Sequence, residues 1–197
     1  MLMDEPPRER ADAARNRLKV LAAAAKLFRD KGVDGVSMDA VAAAAGVGKG
    51  TLFRRFGDKS GLAVALLDER ERELQAGILS GPPPLGPGAP AAERLAAFTD
   101  AYLDYVLGHL DLVRMSETAS PGARYRIGAY RFWRRHVAIL LAELRPGCDA
   151  DPLAHAVLAS LAAEQVTALV AEYGEERARK AIHALVPGWA DPAGSRG

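Results

Sequence analysis

A single cysteine, Cys148, occurs in the 197 residues, so no internal disulfide can form and a disulfide-stapled secreted scaffold is excluded. An excess of one charge is also missing. Lys and Arg number 26 against 25 Asp and Glu, a formal net charge of +1, so no overall basic coat marks the chain for nucleic acid. No apolar run approaches the roughly 18 residues that a membrane span needs, and the polar stretch from Met1 to Arg17 lacks the core of a signal peptide. No segment alternates at period two over a strand's length. What is present is ordinary globular composition, 49% hydrophobic and 26% charged, which excludes disorder throughout. The expectation is a cytoplasmic, all-α protein whose nucleic-acid binding, if any, comes from local charge.

Apolar residues recur at three and four, giving about nine helices. Leu18, Leu21, Ala25 and Phe28 share a first helical face, with Gly32 just past its end. Short helices follow from Ser37 and from Lys49 to Phe56, then a longer one from near Asp58 carrying Leu62, Leu66 and Leu67. Residues 80–90, rich in proline and glycine, form the one clear linker and separate an expected first domain, 1–79, from a second, 91–188. Beyond it, Leu95, Phe98, Tyr102, Val106 and His109 share a face. Pro121-Gly122 introduces a long seventh helix containing Tyr130, Trp133, Val137, Leu140 and Leu144. Asp151-Pro152 reads as an N-cap with proline at N1, opening a helix to about Tyr173. Gly174 breaks it, a last helix carries Ala178, Ala181, Ile182 and Leu185, and residues 191–197 are expected to fray.

The span 37–56 has the form of a helix-turn-helix. Ser37 is placed to cap a short helix whose apolar side is Val41, Ala42 and Ala45; Gly46 supplies a sharp turn and Val47 plugs the corner. At about 100° per residue, Leu52 and Phe56 point together toward a core, and Gly50, Thr51 and Arg54 point away, with Arg55 flanking. Small and polar groups on an outward face suit base edges and phosphates in a major groove. From Lys49 to Lys59 there are four cations (Lys49, Arg54, Arg55, Lys59) and one anion (Asp58), a local +3 hidden by the whole-chain balance.

These residues resemble the N-terminal domain of TetR-type (TetR/AcrR) transcriptional regulators. The likeness rests on Val20-Leu21, Ala24-Ala25, Leu27-Phe28, Gly32, Ser37, Val41-Ala42, Ala45-Gly46-Val47, Lys49-Gly50-Thr51-Leu52-Phe53, Phe56, Lys59 and Leu62. It implies a homodimer that reads a palindromic operator on double-stranded DNA and a C-terminal domain that binds a small effector. DNA contacts are then expected at Ser37, Gly48, Lys49, Gly50, Thr51, Phe53, Arg54, Arg55 and Lys59. Repression would be relieved when effector moves the paired recognition helices off a spacing of about 34–36 Å. Three positions depart from the family. Gly48 replaces a capping Ser or Thr, Phe53 replaces a tyrosine, and Gly61 stands where a glutamate often completes a capping box.

The second half carries weaker signals. Phe98, Tyr102, Tyr105, Met115, Tyr130, Trp133 and Arg134 are candidate effector-pocket residues, aromatic walls with a cation for an anionic group, against the plainer reading of packed core. Arg124, Arg131 and Arg135 read as a solvated stripe. The final helices are apolar on more than one face, so Leu158, Leu169, Ala181, Ile182 and Leu185 are expected at a dimer interface built from two copies of the pair. No cofactor, metal or catalytic activity is expected. His109, His136, His155 and His183 lie far apart, no nucleophile elbow occurs, and Gly46-Val47-Gly48-Lys49-Gly50-Thr51 lacks a phosphate loop's first glycine, since position 43 is alanine. The competing readings are an effector-independent helix-turn-helix protein and an α-helical enzyme.

Overall fold

The computed structural model describes residues 7–185, with side chains from residue 12 onward; the expected fraying at 191–197 lies outside the described residues. Among the described residues there are eleven helices and no strand. The chain divides into two compact units, Met1–Leu67 and Asp68–Gly197. The boundary therefore falls inside a continuous helix, not in the 80–90 stretch, which is a compact turn closed by Gly81 N–H to Gly77 O at 2.9 Å and Gly86 N–H to Pro82 O at 3.0 Å.

The first unit holds α1 (Pro7–Lys31), α2 (Met38–Ala45), α3 (Lys49–Phe56) and the start of α4 (Lys59–Ser80). On α1 the buried stripe is Val20, Ala24 and Phe28; Leu18, expected on that face, is 67% exposed. Ser37 caps α2 by accepting the Ala40 N–H at 3.1 Å, and Gly46 ends it in the left-handed region at φ 66°, a conformation that favours glycine. The Val47 N–H then returns to Ala42 O at 3.1 Å, which closes the corner between α2 and α3. Leu52 and Phe56 are buried as the periodicity requires.

The second unit adds α5 (Ala91–Gly108), α6 (Leu110–Thr118), α7 (Ala123–Arg126), α8 (Gly128–Leu144), α9 (Ala150–Ser160), α10 (Ala163–Tyr173) and α11 (Glu175–Ala184). Its centre is α5 against α8, where Leu95, Phe98, Tyr102, Trp133, Val137 and Leu140 are buried. Two expected helices are each divided. The seventh breaks at Ile127, extended at φ −61°, ψ 131°, leaving α7 as a short turn; Arg126 binds it to Pro121 O and Ser120 Oγ. The eighth breaks at Leu161–Ala162, with Ala162 extended at ψ 140° ahead of α10. The start of α9 also differs: Asp149 occupies the cap position, while Asp151 lies in the first turn and pairs with Arg134. Pro152 is tolerated there because first-turn N–H groups have no intrahelical acceptor. Among the described residues no single helix is long and apolar enough to cross a membrane.

Candidate nucleic-acid interface and ligand pocket

The outer face of α3 presents Gly50, Thr51, Phe53, Arg54 and Arg55, all exposed. Gly48, the N-cap, makes no side-chain cap bond; its carbonyl instead accepts from Thr51 N at 3.0 Å and Leu52 N at 3.1 Å. Among the described residues nothing would crowd a Cβ at Gly50, and at Gly48 only Thr51 Oγ1 lies near, at 4.0 Å. The fold itself therefore does not demand glycine at either position. Gly61 is the opposite case, because a Cβ there would collide with the Phe56 carbonyl oxygen. That collision explains the missing glutamate: the α4 start is capped by Asp58, whose Oδ1 accepts the Gly61 N–H at 2.9 Å.

The cations of this unit differ in what they already hold. Lys49 forms an ion pair with Asp39, which ties α3 to α2. Arg55 donates to Ala13 O on α1 at 3.0 Å. Arg54 has no partner among the described residues and is exposed. Lys59 corrects the expectation of a phosphate contact. Its ammonium donates to Val33 O at 2.8 Å, Val36 O at 3.1 Å and Asp34 O at 3.4 Å, so its three N–H groups serve the turn after α1. Ser37 spends an oxygen lone pair on its cap and keeps its hydroxyl proton available. A cleft of about 880 Å³ runs between α1 and α3, lined by Asn16, Arg17, Thr51, Arg54 and Arg55 among others, and the Arg17 guanidinium stands 5.8 Å from the Phe56 ring centroid.

In the second unit, Tyr102, Tyr105, Tyr130 and Trp133 line one small cavity, together with Glu71, Ser116, Glu117 and Arg124. Three expected members fall elsewhere. Phe98 is fully buried in the core, Met115 does not line the cavity, and Arg134 pairs with Asp151 at the α8–α9 contact. The cation of the pocket is Arg124, 7% exposed, so it is not part of the solvated stripe that keeps Arg131 and Arg135 outside. It pairs with Glu117, donates to Leu158 O at 2.7 Å and lies 5.5 Å from the Tyr130 ring centroid. The other Glu117 oxygen accepts the Ala163 N–H at 2.9 Å. Glu71 accepts from the Tyr105 hydroxyl at 3.0 Å. Burial pushes the Glu71 carboxyl above its usual range, with the Tyr105 bond pulling the other way, and burial likewise raises the Tyr102 and Tyr105 hydroxyls.

Glu71 was detectable by periodicity, since Leu67, Glu71, Leu74 and Ile78 form one α4 stripe and only Glu71 is polar. Arg124 and Glu117 gave no such signal, because their partners, each other, Leu158 O and the Ala163 N–H, come from distant parts of the chain. Of the expected interface residues, Leu158 and Ile182 are already buried within this chain, which corrects their assignment to a partner surface. Leu169 is half-buried, Ala181 is exposed and Leu185 is 62% exposed. Three histidines are hydrogen-bonded within the chain: His109 to Tyr105 O, His155 to the Tyr130 hydroxyl and His183 to Asp100. His136 is buried, and its pKa is lowered to about 4 by desolvation and then by Arg94. Among the described residues no cluster of three His, Cys, Asp or Glu could hold a metal ion.

Two helices meeting at a glycine corner, with a polar second helix facing outward, define a helix-turn-helix domain. Residues 20–66 match the family of bacterial regulatory proteins, tetR family, and the described residues beyond them form a helical second unit. An HTH-type transcriptional regulator from Staphylococcus aureus (strain bovine RF122 / ET3-1) is 47% identical over 69 residues, 35% of this chain. The match spans only 36% of that relative's length. The crystal structure of a TetR-family transcriptional regulator from Pectobacterium atrosepticum has 24% identity and a TM-score of 0.61 over 89% of this chain and 92% of that one. A protein of Saccharomonospora viridis described as a transcriptional regulator, in complex with choline, has 20% identity and a TM-score of 0.60 over 86% and 94%.

Proposed function

We propose that this protein is a cytoplasmic DNA-binding transcriptional regulator, without catalytic activity, that acts as a homodimeric repressor released from a palindromic operator by a small-molecule effector. The carrying observation is the outer face of α3, where, among the described residues, Arg54 has no partner and nothing crowds a Cβ at Gly50. Both features fit a backbone that must approach DNA closely and a guanidinium kept for a base edge or phosphate. Gly48, Lys49, Thr51, Phe53, Arg55 and Ser37 complete the contact surface, and Lys59 leaves it.

A single such module buries about 600–1,000 Å² on DNA, so a second copy supplies the remaining affinity and sets half-site spacing. Leu169, Ala181 and Leu185 remain as the dimer face once the buried pair is removed. The aromatic cavity of the second unit is the effector site, a reading supported by the choline complex of the S. viridis protein. The test is selection of a binding sequence from random DNA, followed by gel shift with wild type and the Lys49/Arg54/Arg55 triple-alanine variant. A palindrome bound by wild type and lost by the variant is expected, and full binding by the variant refutes the assignment. Leu185→Glu should sediment as a monomer; a folded dimer would place the partner surface elsewhere.

A further inference from the structure

Three residues of α3 carry large apolar side chains, and two of them, Leu52 and Phe56, are buried. Phe53 is the third, and it is 45% exposed. The Arg17 guanidinium that reaches this helix stands over the Phe56 ring, not the Phe53 ring. At about 100° per residue, Gly50 falls between Phe53 and Arg54 around the helix, about 60° from the first and about 40° from the second. Helical side chains lean toward the preceding turn, so the ring and the guanidinium both reach back toward the level of Gly50. A Cβ at Gly50 would meet nothing within 4 Å, so neither of them fills the space above it. The result is an open notch on the outer face of α3. Its walls are a phenyl ring and a guanidinium, and its floor is backbone.

The two walls differ in what they can recognise. A guanidinium suits the paired acceptors of guanine or a phosphate. A phenyl ring has no polar atom to offer either, and the apolar group on the edges of the major groove is the 5-methyl of thymine. We propose that Phe53 reads a thymine through that methyl group, which the absence of a side chain at Gly50 admits to the notch. This role rests on the reading of α3 as the DNA-contact face and adds to it the chemistry of one base that the face selects. A ring lying only along a deoxyribose would be indifferent to the methyl.

The test uses the full chain and an operator selected from random DNA. Each thymine of one half-site is replaced in turn by deoxyuridine, which removes the methyl and keeps every hydrogen-bonding group. Fluorescence anisotropy should show one position where wild type binds about four-fold more weakly, the worth of one buried methyl. In Phe53→Ala that same substitution should change nothing, and in Phe53→Tyr, which keeps the ring, the loss should remain. The wild-type scan needs no variant. Melting followed by circular dichroism controls the fold of Phe53→Ala, and Phe53→Gln makes the same comparison should that variant melt early. A half-site without thymine, no loss at any deoxyuridine, or a loss that persists in Phe53→Ala overturns the proposal and leaves α3 the DNA face. Equal weakening of Phe53→Ala on operator and random DNA, with no methyl dependence, overturns it in favour of a sugar-phosphate contact. Failure of wild type to select any DNA overturns the reading of α3 as well.

Discussion

The Glu117 carboxylate joins elements far apart in sequence: one oxygen takes the Arg124 guanidinium, and the other accepts the backbone N–H of Ala163 at 2.9 Å. Arg124 in turn holds Leu158 O, so a single ion pair bridges the two sides of the α9–α10 break. The N–H freed by that break would otherwise be an orphan at a helix start. Glu117 is its acceptor.

Breaking this pair should cost more than any surface change. Glu117→Gln leaves a guanidinium buried without its counter-charge, a loss of about 3–5 kcal/mol. Urea unfolding followed by circular dichroism should show it. The Glu117→Leu/Arg124→Leu double variant should lose less than the sum of its single changes. A Glu117→Gln midpoint equal to wild type would show that the pair is solvated in solution.

Lys59 separates a structural ammonium from a DNA contact. Lys59→Met leaves the carbonyls of Val33 and Val36 without their charged donor, and the expected cost is about 1–3 kcal/mol of stability. With folded protein, the salt dependence of DNA binding should keep its slope. A slope lower by about one unit would return Lys59 to the phosphate contacts.

Gly61→Ala places a methyl against the Phe56 carbonyl at the turn that follows α3. Backbone must move to admit it, and the expected result is a large drop in melting temperature with loss of operator binding. A variant melting as wild type does would mean that the turn relaxes at no cost.

Arg54 and Arg55, adjacent in sequence, should behave differently. Arg54→Ala is expected to cost roughly 1–3 kcal/mol on the operator, much less on random DNA, and nothing in stability. Arg55→Ala also loses the bond to Ala13 O, so its melting temperature should fall slightly. Equal loss on both DNAs for Arg54→Ala would make it a phosphate contact.

His136 predicts a pH dependence. Its pKa, lowered to about 4 by burial, lies below the unfolded value of 6.5, so the unfolded chain binds the proton first. Stability from the neutral imidazole is fully present above pH 6.5 and is lost as pH falls toward 4. In His136→Leu the stability curve should be flatter across that window. An unchanged curve would show that carboxylates alone carry the acid response.

The sequence by itself determined the helix-turn-helix of the first unit, though not the buried stripe of α1. The Ser37 cap, the Gly46 corner and the inward pair Leu52 and Phe56 are local facts of spacing and backbone freedom, and each stands where periodicity puts it. Tertiary structure decided what the long side chains do. Lys59 turns back to three carbonyls, Arg134 leaves the pocket for Asp151 and Arg124 enters it, choices that depend on which acceptors the packed helices bring near. It also decided the breaks at Ile127, where only the adjoining Gly128 gives a local hint, and at Leu161–Ala162, which no proline or glycine announces. A helix continues where its N–H groups have only intrahelical acceptors. It can stop where a distant carboxylate offers a better one, and Glu117 lies 46 positions before the Ala163 that it caps.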